Sequence, residues 1–154
     1  MMRILMVCMG NICRSPLAEG IMAQKIKSNG LDWEVDSAGT HAWHIGEHPD
    51  PRAIKTAKLQ GVDISRQTAR IFNPVDFLRF DLILTMDAEN YQFVNRLART
   101  AEEKNKIQLI LNYSSPNYNK SVPDPYYTNK FQEVFVLLEE ACEQIINKHI
   151  AKQY

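Results

Sequence analysis

What this chain of 154 residues lacks narrows its class before any motif is read. It has no excess of charge, with 18 basic and 18 acidic residues, so no global field gathers it onto nucleic acid or an anionic membrane; any attraction for an anion must be local. It has no long apolar run: Val134 to Leu138 is far short of the roughly 20 residues of a membrane span, and Ile4 to Val7 is too short for the core of a secretion signal. Cysteine is scarce. Three thiols, an odd number, argue against a disulfide framework, so a soluble, cytoplasmic protein with at least one free thiol is expected. Repeats, linkers and low-complexity stretches are missing too, and the length fits one domain over 1–154, burying about two thirds of its unfolded surface.

What is present alternates between strand and helix. Arg3 to Val7 reads as a strand buried on both faces, ending at Cys8. Leu17, Ile21, Met22 and Ile26 then recur at helical spacing, with Ser15 as cap, Pro16 as first helical residue and Gly30 as stop. Trp33 to Ser37 reads as a second strand, and Ala38 to Pro49 as an ordered loop. Asp50-Pro51 opens a helix that Gly61 closes, and Asn73-Pro74 begins another short one. Asp81 to Met86 is a third strand, with Asp87 placed to cap a helix reaching Arg99, and Ile107 to Leu111 is a fourth. Asn112 to Thr128 is a long connection holding three prolines and Asp124, of a length that is often functional. Phe131 to His149 carries a helical apolar stripe that includes Cys142. The pattern predicts an α/β fold: a doubly wound, four-stranded parallel sheet with helices on both faces and ligands bound beyond the strands' carboxyl ends.

Cys8 and Asp87 both fall at such ends. Between the first strand and first helix lies Cys8-Met9-Gly10-Asn11-Ile12-Cys13-Arg14-Ser15-Pro16, whose amide N–H groups and helix dipole converge on one concavity suited to phosphate. Gly10 and Asn11 tolerate the backbone conformations a tight cradle needs. A cysteine aimed at a helix amino end beside an arginine favours the nucleophilic thiolate. Arg14 can grip two phosphate oxygens in its planar fork, and the Ser15 hydroxyl can hydrogen-bond the sulfur. The segment is not an ATP-type loop, since G-x-x-x-x-G-K-[ST] is missing.

V-C-M-G-N-I-C-R-S-P resembles the signature of the low-molecular-weight protein tyrosine phosphatases, and Asp124-Pro125-Tyr126-Tyr127 resembles their acid loop. Asp36-Ser37-Ala38-Gly39-Thr40 and Pro49-Asp50-Pro51-Arg52-Ala53 are similar too, so the resemblance runs from the first strand to the last helix. It implies hydrolysis of phosphotyrosine, in a protein or a small aryl phosphate, through a phosphocysteine on Cys8. Asp124 would serve as general acid and then base, without a metal or other cofactor.

Trp43, Tyr126 and Tyr127 belong to loops expected at the mouth, where aromatic walls would stack a phenyl ring. Ile12 resembles the tyrosine-specific branch, since related enzymes acting on phosphoarginine carry threonine there. The resemblance also assigns Asn11, Ser37 and Asp87 to bracing the loop. Gln67 stands where the family often has histidine. Cys13 is near enough in sequence for a reversible disulfide with Cys8. His41, His44 and His48 lack the rest of a zinc pattern and read as solvated loop residues. Neither a nucleic acid nor a membrane is expected as partner, and the chain is expected as a monomer or weak homodimer. Two other readings share the loop. Thiol-based arsenate reductase needs relay cysteines, which Phe80 to Asn90 lacks; a non-catalytic phosphate or phosphocysteine carrier has no use for Asp124.

Overall fold

A computed structural model describes residues 1–151. Four parallel strands, β1 (Arg3–Cys8), β2 (Glu34–Gly39), β3 (Leu82–Thr85) and β4 (Ile107–Leu109), form one sheet in the order β2-β1-β3-β4. Alternate residues of β1 face opposite cores. Ile4 and Met6 join Leu17, Ile21, Phe135 and Leu138 on one side, from helices α1 (Arg14–Ser28) and α7 (Phe131–Ala151). Leu5 and Val7 join Phe77 and Val94 on the other, from α3 (Asp76–Arg79) and α4 (Ala88–Leu97). The four β1 residues are fully buried, which is why the strand reads as an unbroken apolar run. The predicted doubly wound sheet is the one observed.

Strand order reverses beside β1, so the carboxyl ends of β1 and β3 flank the crevice where such sheets bind ligands. The expected α7 stripe is buried from Phe131 to Ile146, with Cys142 in the core. Gly30 and Gly61 take φ values of 61° and 79°, ending α1 and α2 (Pro51–Leu59) as expected.

Several boundaries differ from the sequence reading. β2 begins after Trp33 and runs to Gly39, because its register follows β1 from Arg3↔Glu34 to Cys8↔Gly39. Helix α1 begins at Arg14, placing Ser15 and Pro16 second and third in it, and Cys13 occupies the cap position without a capping side chain. α3 starts at Asp76, whose carboxylate accepts the Asn73 N–H at 2.9 Å. β4 stops at Leu109 and passes into a single 3₁₀ turn, Ile110–Asn112. Two short helices escape the sequence reading: α5 (Ala101–Asn105), capped by Thr100, and α6 (Pro125–Thr128), capped by Asp124. No helix among the described residues is long and apolar enough to cross a membrane.

Candidate active site

The chain turns sharply after β1, and hydrogen bonds from outside determine how the turn faces. The carbonyls of Cys8, Met9 and Ile12 accept from the backbone N–H groups of Thr40 (2.9 Å), His41 (3.0 Å) and Asp50 (2.8 Å). Because a trans peptide points its N–H opposite to its C=O, the amides of Met9, Gly10 and Cys13 face the other way, into the cavity these residues line. Asn11 supplies the corner at φ 57°, a left-handed conformation asparagine tolerates. The result is an amide-lined bowl at the amino end of α1, a favourable place for an anion.

Cys8 lies at the floor, 3% exposed, its sulfur 3.0 Å from the Ser15 hydroxyl and accepting the Asn11 N–H at 3.3 Å. Ser15 is therefore occupied with the sulfur rather than with helix capping. Arg14, 4% exposed, donates from Nη1 to Asp87 (2.7 Å) and to the Val122 carbonyl (3.1 Å), and its Nη2 lies 3.6 Å from Asp124. Burial alone would lower the Arg14 pKa, but Cys8, Asp87 and Asp124 together hold it above its ordinary value, so the guanidinium stays charged. Burial first, and then Asp50 and Cys8, pushes the Cys13 thiol far up, so of the two loop cysteines Cys13 is the poor nucleophile. Cys8, Cys13 and Cys142 are all free thiols. Cys142 is wholly buried in α7, leaving no third thiol at the mouth to relay a disulfide.

Above the floor opens a cavity of about 300 Å³ whose lining includes Cys8, Ile12, Arg14 and Asp124. Asp124 caps α6 by accepting the Tyr126 N–H at 3.1 Å, which holds its carboxylate over the bowl. Trp43, Tyr126 and Tyr127 also line the cavity, and each of the first two is backed by another side chain. His41 stacks on Trp43 with ring centroids 4.6 Å apart, and Arg52 lies 5.4 Å above the Tyr126 ring while salt-bridged to Asp50 at 2.9 Å.

Three predicted supports divide their work. Asn11 donates to Ser15 (2.7 Å) and Ser37 (3.0 Å), Ser37 reaches the loop only through Asn11, and Asp87 holds Arg14 rather than the loop backbone. His44 corrects the sequence reading. It is half-buried, pairs with Glu47 at 2.5 Å and lines the cavity beside Gly10. His41 and His48 bind Thr40 and the Gln67 carbonyl, and no cluster of three or more metal-ligating side chains occurs among the described residues. The Gln67 side-chain amide donates to the Pro16 carbonyl at 3.1 Å, while its side-chain oxygen, Oε1, is buried without a partner among the described residues. The Val122 carbonyl and Glu19, which accepts from Ser37 at 2.6 Å, carry no sequence signal.

Residues 3–154 match the family model for low molecular weight phosphotyrosine protein phosphatase. A low molecular weight phosphotyrosine protein phosphatase of Schizosaccharomyces pombe is 36% identical over 149 residues, covering 94% of each chain. The crystal structure of a protein tyrosine phosphatase from Entamoeba histolytica, with Hepes in its active site, superposes at a TM-score of 0.92, with 35% identity and full coverage of both chains. That of a Drosophila arginine phosphatase does so at 0.89, with 32% identity over 96% of this chain and 98% of that one.

Proposed function

The chain belongs to the low molecular weight phosphotyrosine protein phosphatase family, and on that premise we propose which residues carry the hydrolysis of phosphotyrosine. The observation that carries the assignment is that Cys8, Arg14 and Asp124 line one cavity, with the sulfur at its amide-lined floor. The Met9, Gly10 and Cys13 amides and the Arg14 fork take the phosphoryl oxygens, while Trp43 and Tyr126 take the two faces of the phenyl ring. The Cys8 thiolate attacks phosphorus as the tyrosine oxygen departs. Asp124 gives that oxygen its proton, so tyrosine leaves neutral and the phosphoryl group remains on sulfur. Water then attacks phosphocysteine, Asp124 takes its proton, and inorganic phosphate leaves as the thiolate is restored, with Ser15 bonded to the departing sulfur.

The depth of the bowl supports an aryl substrate over phosphoserine, whose short stem leaves its phosphorus above Cys8. Ile12 on the lining supports the ester over phosphoarginine, because an apolar wall offers no partner to a guanidinium. Free, buried thiols suit a reducing compartment such as the cytoplasm, and the chain is proposed to act as a monomer or weak homodimer. The test is a panel of phosphotyrosine, phosphoserine, phosphoarginine and arsenate, run on the wild type and on Cys8→Ser. Turnover of phosphotyrosine well above the others, abolished in Cys8→Ser while phosphate still binds, is the expected result. Turnover that survives Cys8→Ser would refute the mechanism.

A further inference from the structure

Behind the bowl, one backbone donor fixes how the hydrogen bonds of Asn11 run. The Asn11 side-chain oxygen accepts the Arg70 backbone N–H at 3.0 Å; a backbone N–H can only donate, so the amide orientation is settled. Both Asn11 amide hydrogens therefore go to hydroxyl oxygens, Ser15 at 2.7 Å and Ser37 at 3.0 Å. Each serine, having accepted, has one hydrogen left to give. Toward the Cys8 thiolate, which can only accept, Ser15 gives its hydrogen at 3.0 Å, and Ser37 gives its own to Glu19 at 2.6 Å. Asn11, Ser15 and Ser37 are all buried, so none can substitute a water for a lost partner without cost.

We infer that Glu19 is a positioning residue for the phosphatase reaction: by taking the Ser37 hydrogen it turns the Ser37 oxygen toward Asn11, the amide that also holds Ser15 against the Cys8 sulfur. The inference rests on Cys8 being the nucleophile. Glu19 sits one turn along α1 from Ser15 and never meets the substrate; its effect reaches the sulfur only through Ser37, Asn11 and Ser15. Ser37 is its hydrogen-bond partner among the described residues, while Asp36 on β2 and Arg70 are the charged groups facing it. Arg70 does not neutralise Glu19 directly, because its guanidinium is bonded to Asp36 at 3.1 Å and to Asp76 at 3.1 Å.

That setting makes the acceptor sensitive to pH. Burial lifts Glu19 to about 7, the Ser37 bond opposing and Asp36 adding to the rise, with Arg70 opposing. A carboxylate accepts roughly twice as strongly as a neutral carboxyl group, so the bond from Ser37 tightens as the proton is lost. Glutamine resembles the protonated form at every pH.

The experiment is kcat against pH for wild type, Glu19→Gln and Glu19→Ala with p-nitrophenyl phosphate, alongside Cys8→Ser and thermal melts. Groups shared by two variants cancel in their ratio. The wild-type to Glu19→Gln ratio is expected to climb several-fold between about pH 5.5 and about pH 8.5, with its midpoint near the Glu19 value of about 7. Glu19→Ala is expected to lose roughly tenfold in kcat with little change in KM, and Glu19→Gln to recover most of that loss. A ratio flat with pH, or a folded Glu19→Ala with wild-type kcat, overturns the inference. Should Glu19→Ala fail to fold, the Glu19→Gln ratio decides. An inactive Cys8→Ser beside a flat ratio sinks the role of Glu19 alone, whereas an active Cys8→Ser sinks the nucleophile beneath it.

Discussion

Arg14 and Asp87 are joined at 2.7 Å, and the other Asp87 oxygen accepts the Asn90 N–H at 2.8 Å, so one carboxylate both aims the phosphate-gripping guanidinium and caps α4. The two tasks can be separated. Asn caps a helix about as well as Asp does but cannot neutralise Arg14. Asp87→Asn is expected to melt near the wild type while losing roughly tenfold in kcat/KM, as Arg14 turns toward Asp124, 3.6 Å away. Asp87→Ala should show the same kinetic loss and about 1 kcal/mol of lost stability. Thermal melts beside steady-state kinetics check this; a fully active Asp87→Asn would show that Arg14 does not depend on the ion pair.

Gly39 offers a test that removes no functional group. A methyl group there would stand 2.8 Å from the Met9 carbonyl and 3.2 Å from the Asn11 N–H nitrogen. These are backbone atoms of the bowl and cannot yield as the end of a flexible side chain can. Gly39→Ala is expected to tilt the Met9 and Asn11 peptides, weaken phosphate inhibition and lower kcat/KM by at least roughly tenfold. Competition with inorganic phosphate measures the first effect directly.

The aromatic lining predicts a selective loss. An aromatic stacking pair contributes about 0.5–1.5 kcal/mol beyond its buried area, so Trp43→Ala or Tyr126→Ala should raise KM for phosphotyrosine severalfold. KM for a short alkyl phosphate, which has no ring to stack, should hardly move. Equal rises for both substrates would place the role of these residues in loop folding instead.

Glu19 also leaves a mark on stability. Its pKa rises on folding from an ordinary 4.5 to about 7, so the native state holds the proton more tightly than the unfolded chain. The stability this brings is fully present below the unfolded value and is lost as pH rises through 7. The loss is on the order of 3 kcal/mol at most. Glu19→Gln, which does not titrate, should therefore gain stability relative to wild type as pH rises across that window. Urea unfolding at the two ends of the window measures the change.

What the sequence makes legible is mostly what is local. The Cys8 to Ser15 segment is recognisable because its parts adjoin in the chain, and α7 because its buried stripe recurs from Phe131 to Ile146 of a 21-residue helix. Helix α5 is legible in principle, since Thr100 and Glu103 form a capping pair with the Glu103 N–H 3.1 Å from the threonine hydroxyl. Ser15 misleads because a serine before proline signals a cap, whereas here the sulfur claims its hydroxyl. The extent of β2 depends on pairing with β1, and His44, Val122 and Glu19 acquire their roles from residues distant in the chain. No local pattern encodes such meetings.

The central claim is a covalent bond between phosphorus and one sulfur, and rapid acid quenching of the enzyme with radiolabelled phosphotyrosine tests it most directly. Within the first turnover, label should appear on the peptide containing Cys8, approach one phosphoryl group per chain if dephosphorylation limits the rate, and decay as inorganic phosphate is released. Continued turnover with that peptide unlabelled, or label residing on Cys13, would contradict the account.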